Sequence, residues 1–126
     1  MKSLIISITV SLIVLAAPSL AHAQDAAAGK KVFKRCVSCH TVEKDGRNKV
    51  GPNLWGIFGS TAAQRNVGYK YSRAMKASGI IWDEATLSSY LQNPRKAVPK
   101  TRMAFAGLKK AKQRDDVIAY LKSVTE

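Results

Sequence analysis

The chain has 126 residues, 46% of them hydrophobic and 23% charged, which suits one compact domain and excludes both a disordered chain and a two-domain protein. Its 21 lysines and arginines against 8 acids give a net charge of +13, so an acidic partner surface suits it better than a basic one. Only two cysteines occur, Cys36 and Cys39, too close together to form a network of long-range disulfides.

Residues 1–23 read as an export signal, with Lys2 at its start, an apolar stretch of 14 residues from Leu4 to Ala17, Pro18, and the small-residue site Ala21-His22-Ala23. A membrane anchor is the competing reading, but a span needs roughly 17 to 25 apolar residues. Cleavage after Ala23 removes one lysine and no acid, so residues 24–126 form a domain of net charge +12. No later segment is apolar enough to span a bilayer, and the mature protein is expected in the periplasm of a Gram-negative source, without stable membrane insertion.

Between Gly29 and His40, the residues Val32, Phe33, Cys36, Val37 and His40 recur at helical spacing and predict a first helix. Tyr71 to Ala77 predicts a short helix stopped by Gly79. A further helix is predicted after Trp82, capped by Asp83, carrying Leu87, Tyr90 and Leu91, and ended by Asn93-Pro94. Val117, Ile118, Tyr120, Leu121 and Val124 predict a last helix, with Asp115 and Asp116 near its positive end. No convincing alternating strands occur, so the fold class is all-α. Long connections over 41–70 and 92–109 contain Leu54, Trp55, Ile57, Phe58, Met103 and Phe105, which a solvated linker does not need. Something apolar is expected beneath them.

Cys36-Val37-Ser38-Cys39-His40 is the C-x-x-C-H pattern of covalent c-type haem attachment. On a helix, positions i and i+3 share a face, so both thiols reach one edge of a porphyrin, and His40 then falls where its imidazole binds iron. A thioredoxin-type dithiol would need a βαβ pattern, which is missing. A zinc site would need four ligands, more than two cysteines, one histidine and scattered carboxylates supply. Ordinary buried cysteines fit poorly with an export signal and an apolar gap.

His22 leaves with the signal, so His40 is the only histidine of the mature chain and a second axial ligand must be sought elsewhere. The remaining thioethers are Met75 and Met103. Met75 lies in a helical pattern where packing accounts for it. Met103 lies in an irregular loop between Pro99 and Gly107, which makes it the better ligand. Histidine with methionine leaves iron no open position, which favours electron exchange over oxygen or peroxide chemistry. A haem enzyme or gas binder with a labile sixth ligand is the alternative. Nucleic-acid binding lacks any helix-turn-helix or zinc-finger pattern.

The segments Gly29-Lys-Lys-Val-Phe33, Cys36 to His40, Val50-Gly-Pro-Asn-Leu-Trp-Gly-Ile-Phe-Gly59, Tyr71-Ser72, Trp82, Tyr90-Leu-Gln-Asn-Pro94 and Met103-Ala-Phe-Ala-Gly107 occur in an order that resembles the class I cytochromes c, in their mitochondrial-like bacterial periplasmic branch. The likeness covers about residues 29–124. It implies a small cytochrome c fold, helices and long loops wrapped around one covalent haem c. It further implies that Pro52 accepts a hydrogen bond from His40, that Tyr90 approaches the Met103 sulfur, and that Tyr71, Trp82 and Thr101 donate to the haem propionates. Gly29 and Phe33 are expected to pack against Tyr120 and Leu121. Ser60 stands where relatives often carry a propionate-binding arginine, with Arg65 nearby; Met75 replaces a frequent asparagine and Lys100 a frequent glycine.

The resemblance implies a monomeric one-electron carrier, not an enzyme. Its partners would be membrane or soluble redox proteins with acidic docking surfaces: a quinol-cytochrome c oxidoreductase as donor, a terminal oxidase or photosynthetic reaction centre as acceptor. Lys49, Lys96, Lys100 and Lys109 are candidates for steering such encounters. A dedicated electron-transfer subunit of a periplasmic dehydrogenase would share the chemistry without the free diffusion.

Overall fold

A computed structural model describes residues 23–126. Apart from Ala23, the expected export signal lies outside the described residues. Five helices follow in order: α1 Ala26–Phe33, α2 Arg73–Ala77, α3 Glu84–Gln92, α4 Pro94–Ala97 and α5 Ala111–Thr125. Among the described residues the only β pairing is one antiparallel bridge, Thr61 with Ile81. None of these helices is long and apolar enough to cross a membrane.

The first and last helices cross at Gly29. A Cβ there would stand 1.9 Å from the Asp116 carbonyl oxygen, so only glycine allows this approach. Phe33 then packs against Tyr120 with ring centroids 5.3 Å apart and planes tilted by 47°, and Leu121 joins the same buried cluster. Asp116 is buried; it accepts from the Asp25 N–H at 3.0 Å and pairs with Lys112. The sequence assigns Asp116 to the helix dipole, whereas in the fold it ties the start of α1 to α5.

Element boundaries depart from the sequence reading at α1, α5 and α4, and α2 begins at Arg73, two residues later than the predicted Tyr71. α1 begins earlier, at an Asp25 cap that accepts from the Ala28 N–H, and ends at Phe33 instead of His40. Beyond Phe33 the backbone tightens into i to i+3 turns, with Cys36 N–H on Phe33 and Cys39 N–H on Cys36. The apolar period survives in these turns, and it mimics a continuing helix. α5 starts at Ala111, ahead of its apolar residues, because Ala111 to Arg114 are strong helix formers that carry no apolar period. The short helix α4 escapes the sequence reading. Asn93 ends α3 and also caps α4 through the Lys96 N–H, while Pro94 lacks the N–H that a first helical turn leaves unused.

The other helices follow their sequence signals. Asp83 and Thr86 form a reciprocal capping box on α3. Ser72 caps α2, and Gly79 leaves it at φ +64°. The long connections are stitched down by backbone hydrogen bonds: Gly51 to Cys39, Leu54 to Thr41, Gly59 to Trp82, Ala62 to Ile80 and Leu108 to Leu91. Leu87, Leu91, Leu108, Val117, Ile118 and Leu121 belong to the buried core, and all of these but Ile118 also line a cavity, together with loop residues such as Pro52, Leu54 and Met103.

Candidate haem site

The cavity measures about 320 Å³, within the range of small-molecule sites, and its lining is chiefly apolar. Cys36, Cys39, His40, Pro52, Tyr71, Trp82, Tyr90, Thr101 and Met103 all line it, so the fold gathers every site residue named from the sequence in one place. Met75 lines it as well.

The turns after α1 place both thiols and the imidazole. The Cys39 and His40 N–H groups converge on the Cys36 carbonyl at 3.0 and 2.9 Å, which fixes the spacing of the three side chains without a regular helix. Neither cysteine is engaged in a disulfide, so both sulfurs are available to a porphyrin edge, and burial raises the pKa of the Cys36 thiol before attachment. His40 Nδ1 donates to the Pro52 carbonyl at 2.7 Å. A carbonyl can only accept, so the proton sits on Nδ1 and the Nε2 lone pair is left for a metal. Burial holds the imidazole below its ordinary pKa, the neutral form that ligation requires.

Across the loop from Thr101 to Met103, three hydrogen bonds close a ring. Met103 N–H meets Thr101 Oγ1 at 3.3 Å, Tyr90 and Thr101 share hydroxyls at 3.1 Å, and the Tyr90 hydroxyl donates to the Met103 sulfur at 3.5 Å. With Tyr90 donating to sulfur, Thr101 gives its one hydroxyl proton to the Tyr90 oxygen while accepting from the Met103 N–H. The Tyr90 ring is set by an edge-on contact with Trp82 at 5.2 Å, and burial raises its phenol pKa, keeping it a donor. Met75 is placed differently: it rides on α2, with its sulfur 4.0 Å from the Ser78 hydroxyl.

Three contributors went unassigned in the sequence. Gly51 touches the His40 ring so closely that a Cβ would lie 2.4 Å from Cε1. Asn53 is buried as a hub. Its amide donates to Thr41 Oγ1 and the Glu43 carbonyl, its Oδ1 accepts from Trp55 N–H, and its own N–H donates to Asn48. Arg35 lies 5.2 Å over the Phe105 ring, bridging the cysteine turn and the methionine loop. Glycine before proline is too common a pair to flag Gly51, and the partners of Asn53 and Arg35 become neighbours only in the fold.

The donor set fits a covalently held porphyrin iron: two thiols at fixed spacing, a neutral imidazole with one free nitrogen, thioethers on the lining, and apolar walls.

Comparison with known proteins agrees with this chemistry. The family model Cytochrome c matches residues 26–125. A cytochrome c of Gibberella zeae is 54% identical over 99 residues, covering 78% of this chain and 92% of that protein. A cytochrome c of Chlamydomonas reinhardtii is 49% identical over 106 residues, covering 83% and 94%. Among solved structures, cytochrome cH from Methylobacterium extorquens superposes with a TM-score of 0.73 at 48% identity, covering 79% of this chain and 98% of that one. The chain belongs to the cytochrome c family, a small helical electron carrier whose haem c is held covalently by Cys36 and Cys39.

Proposed function

We propose that this cytochrome c is an exported periplasmic one-electron carrier with His40 and Met103 as axial iron ligands. Haem supplies the chemistry, a reversible one-electron change at iron. The chain supplies the rest. Pro52 orients His40, and Gly51 lets the backbone pass beneath the ring. The Thr101–Tyr90–Met103 ring of hydrogen bonds carries the proposal furthest, because it sets a tyrosine hydroxyl of α3 on the Met103 sulfur, whereas the Met75 sulfur meets the Ser78 hydroxyl at the end of its own helix, 4.0 Å away. A site with both positions filled by the chain suits a carrier and leaves no place for the substrate of an enzyme. Tyr71 and Trp82, both on the cavity lining, are proposed as donors to the haem propionates; Thr101, expected from the resemblance to join them, spends its one hydroxyl proton on Tyr90 and so serves the Met103 side instead.

The steering charges have support in placement. Lys49 Nζ donates to the Val37 carbonyl at 2.7 Å, beside the cysteine turn. Lys109 Nζ donates to the Gln92 and Ala106 carbonyls at 2.9 and 3.0 Å. Lys96 and Lys100 are exposed. Such fixed cations favour brief encounters with acidic redox partners, in keeping with a quinol-oxidising donor and an oxidase or reaction-centre acceptor. Stopped-flow oxidation by a membrane oxidase preparation tests this. The rate should fall as salt is raised, and a rate indifferent to salt contradicts electrostatic steering.

A further inference from the structure

Arg65 is a cation on the cavity wall without an acid to answer it. The loop that carries it turns through Ala63 at φ +63°, and its side-chain arm packs within 3.6 Å of where a Gly56 Cβ would lie. Its Nη2 donates to the backbone carbonyl of Asn53, and the Asn53 hub holds that carbonyl in place. A guanidinium has five N–H donors, and among the described residues only this one meets a protein acceptor. The ion pairs among the described residues, Lys112 with Asp116 and Lys122 with Glu84, do not involve it. Burial lowers its pKa, and the neighbouring Tyr71 phenol opposes that shift. A half-buried, unanswered charge is costly unless an anion arrives.

Ser60 cannot play that part. Its hydroxyl proton is turned back to the Ile57 carbonyl at 2.5 Å, and it carries no charge. We propose that Arg65 is the cation that holds one carboxylate of the haem in this chain, reaching the cavity from a different point of the loop than Ser60. The proposal rests on haem occupying the cavity. Arg65 is a positioning residue: it anchors the carboxylate beside Tyr71, keeps it ionised, and offsets its negative charge near iron.

The test uses the whole protein matured with haem, titrated between its two oxidation states from about pH 5 to about pH 8. The unaltered protein should show a flat profile, because a carboxylate paired with Arg65 stays ionised throughout. Arg65→Gln should shift the reduction equilibrium toward ferric iron roughly tenfold near pH 7, about 59 mV for one electron. It should also bring in a potential that rises as pH falls, since the released acid now takes up a proton within the range. Arg65→Lys should keep most of the unaltered behaviour, and adding Ser60→Arg to Arg65→Gln should restore it. The proposal is overturned if Arg65→Gln lowers the melting temperature yet leaves the potential and its pH profile unchanged, because the guanidinium then merely braces Asn53. If Arg65→Gln fails to mature, recovery of holoprotein on adding Ser60→Arg supports the proposal and failure to recover overturns it. Absence of covalent pigment from the unaltered protein is a separate outcome, one that removes haem occupancy itself and the proposal with it.

Discussion

Gly51 lies against the face of the His40 ring, with room for a hydrogen and not for a methyl group: a Cβ would stand 2.4 Å from Cε1 and 2.8 Å from both ring nitrogens. The same segment supplies the Pro52 carbonyl that fixes the ring through Nδ1. One dipeptide thus sets both the tilt and the proton position of the imidazole. Gly51→Ala must push the ring or the loop aside. A loss of about 1–3 kcal/mol is expected, the usual cost of overpacking, together with a weakened iron bond. Chemical denaturation and the optical spectrum of the matured variant check this; an unchanged midpoint with an unchanged spectrum would show that the loop yields freely.

Met103 and Met75 both line the cavity, but only Met103 receives a tyrosine hydroxyl. Met103→Ala should abolish the weak far-red sulfur-to-iron absorption of the oxidised protein and lower its potential, while Met75→Ala should do neither and cost packing only. The reverse pattern moves the sixth ligand to Met75.

Lys100 holds φ at +67°, in the loop that leads to Met103. An L-residue in this region carries about 1–2 kcal/mol of steric cost, and glycine gives back roughly 0.4–1 kcal/mol in unfolded-chain entropy. Lys100→Gly should therefore stabilise the protein by about 0.5–1 kcal/mol, read as a raised denaturant midpoint. A lower midpoint means that the lysine side chain makes contacts that outweigh its backbone strain.

Acid sensitivity should centre on helix caps. Asp83 is held below the usual aspartate pKa, chiefly by the Thr86 backbone N–H and then by its hydroxyl. A carboxyl depressed in the folded state stabilises it above the unfolded pKa, and that contribution fades as pH falls through the folded value. Asp83→Ala should melt lower than the unaltered protein near neutrality, with the gap closing below about pH 4. Asp83→Asn, which keeps an N-cap acceptor, should lose less at neutral pH. Thermal melts across this range decide it, and a gap independent of pH would place the effect in the helix and not in the charge.

Much of the fold and its chemistry was legible in the chain itself. The capping signal at Asp83, the stop at Gly79 and the apolar periods of α3 and α5 each rest on neighbours within a turn, so sequence carries them. The cysteine turn misled as to its backbone and not its use, because tight turns and α-helix bring residues three apart to nearly the same face. What stayed hidden depends on distant approach. Nothing adjacent to Gly51 announces the His40 ring, nothing near Asn53 announces Thr41 and Glu43, and Asp116 meets the Asp25 N–H only once α1 has crossed α5. The preference for Met103 over Met75 rests on the irregular loop around it, whereas the pairings of Pro52 with His40 and of Tyr90 with Met103 came only through the family resemblance.

Covalent haem under histidine and methionine ligation is tested most directly by optical spectra of the purified protein, oxidised and reduced, made in a host that attaches haem and then extracted with acidic acetone. Pigment that stays with the polypeptide, together with a far-red band present only in the oxidised state, is the expected result. Pigment that passes into the solvent contradicts thioether attachment through Cys36 and Cys39, and retained pigment without the far-red band contradicts ligation by a methionine sulfur.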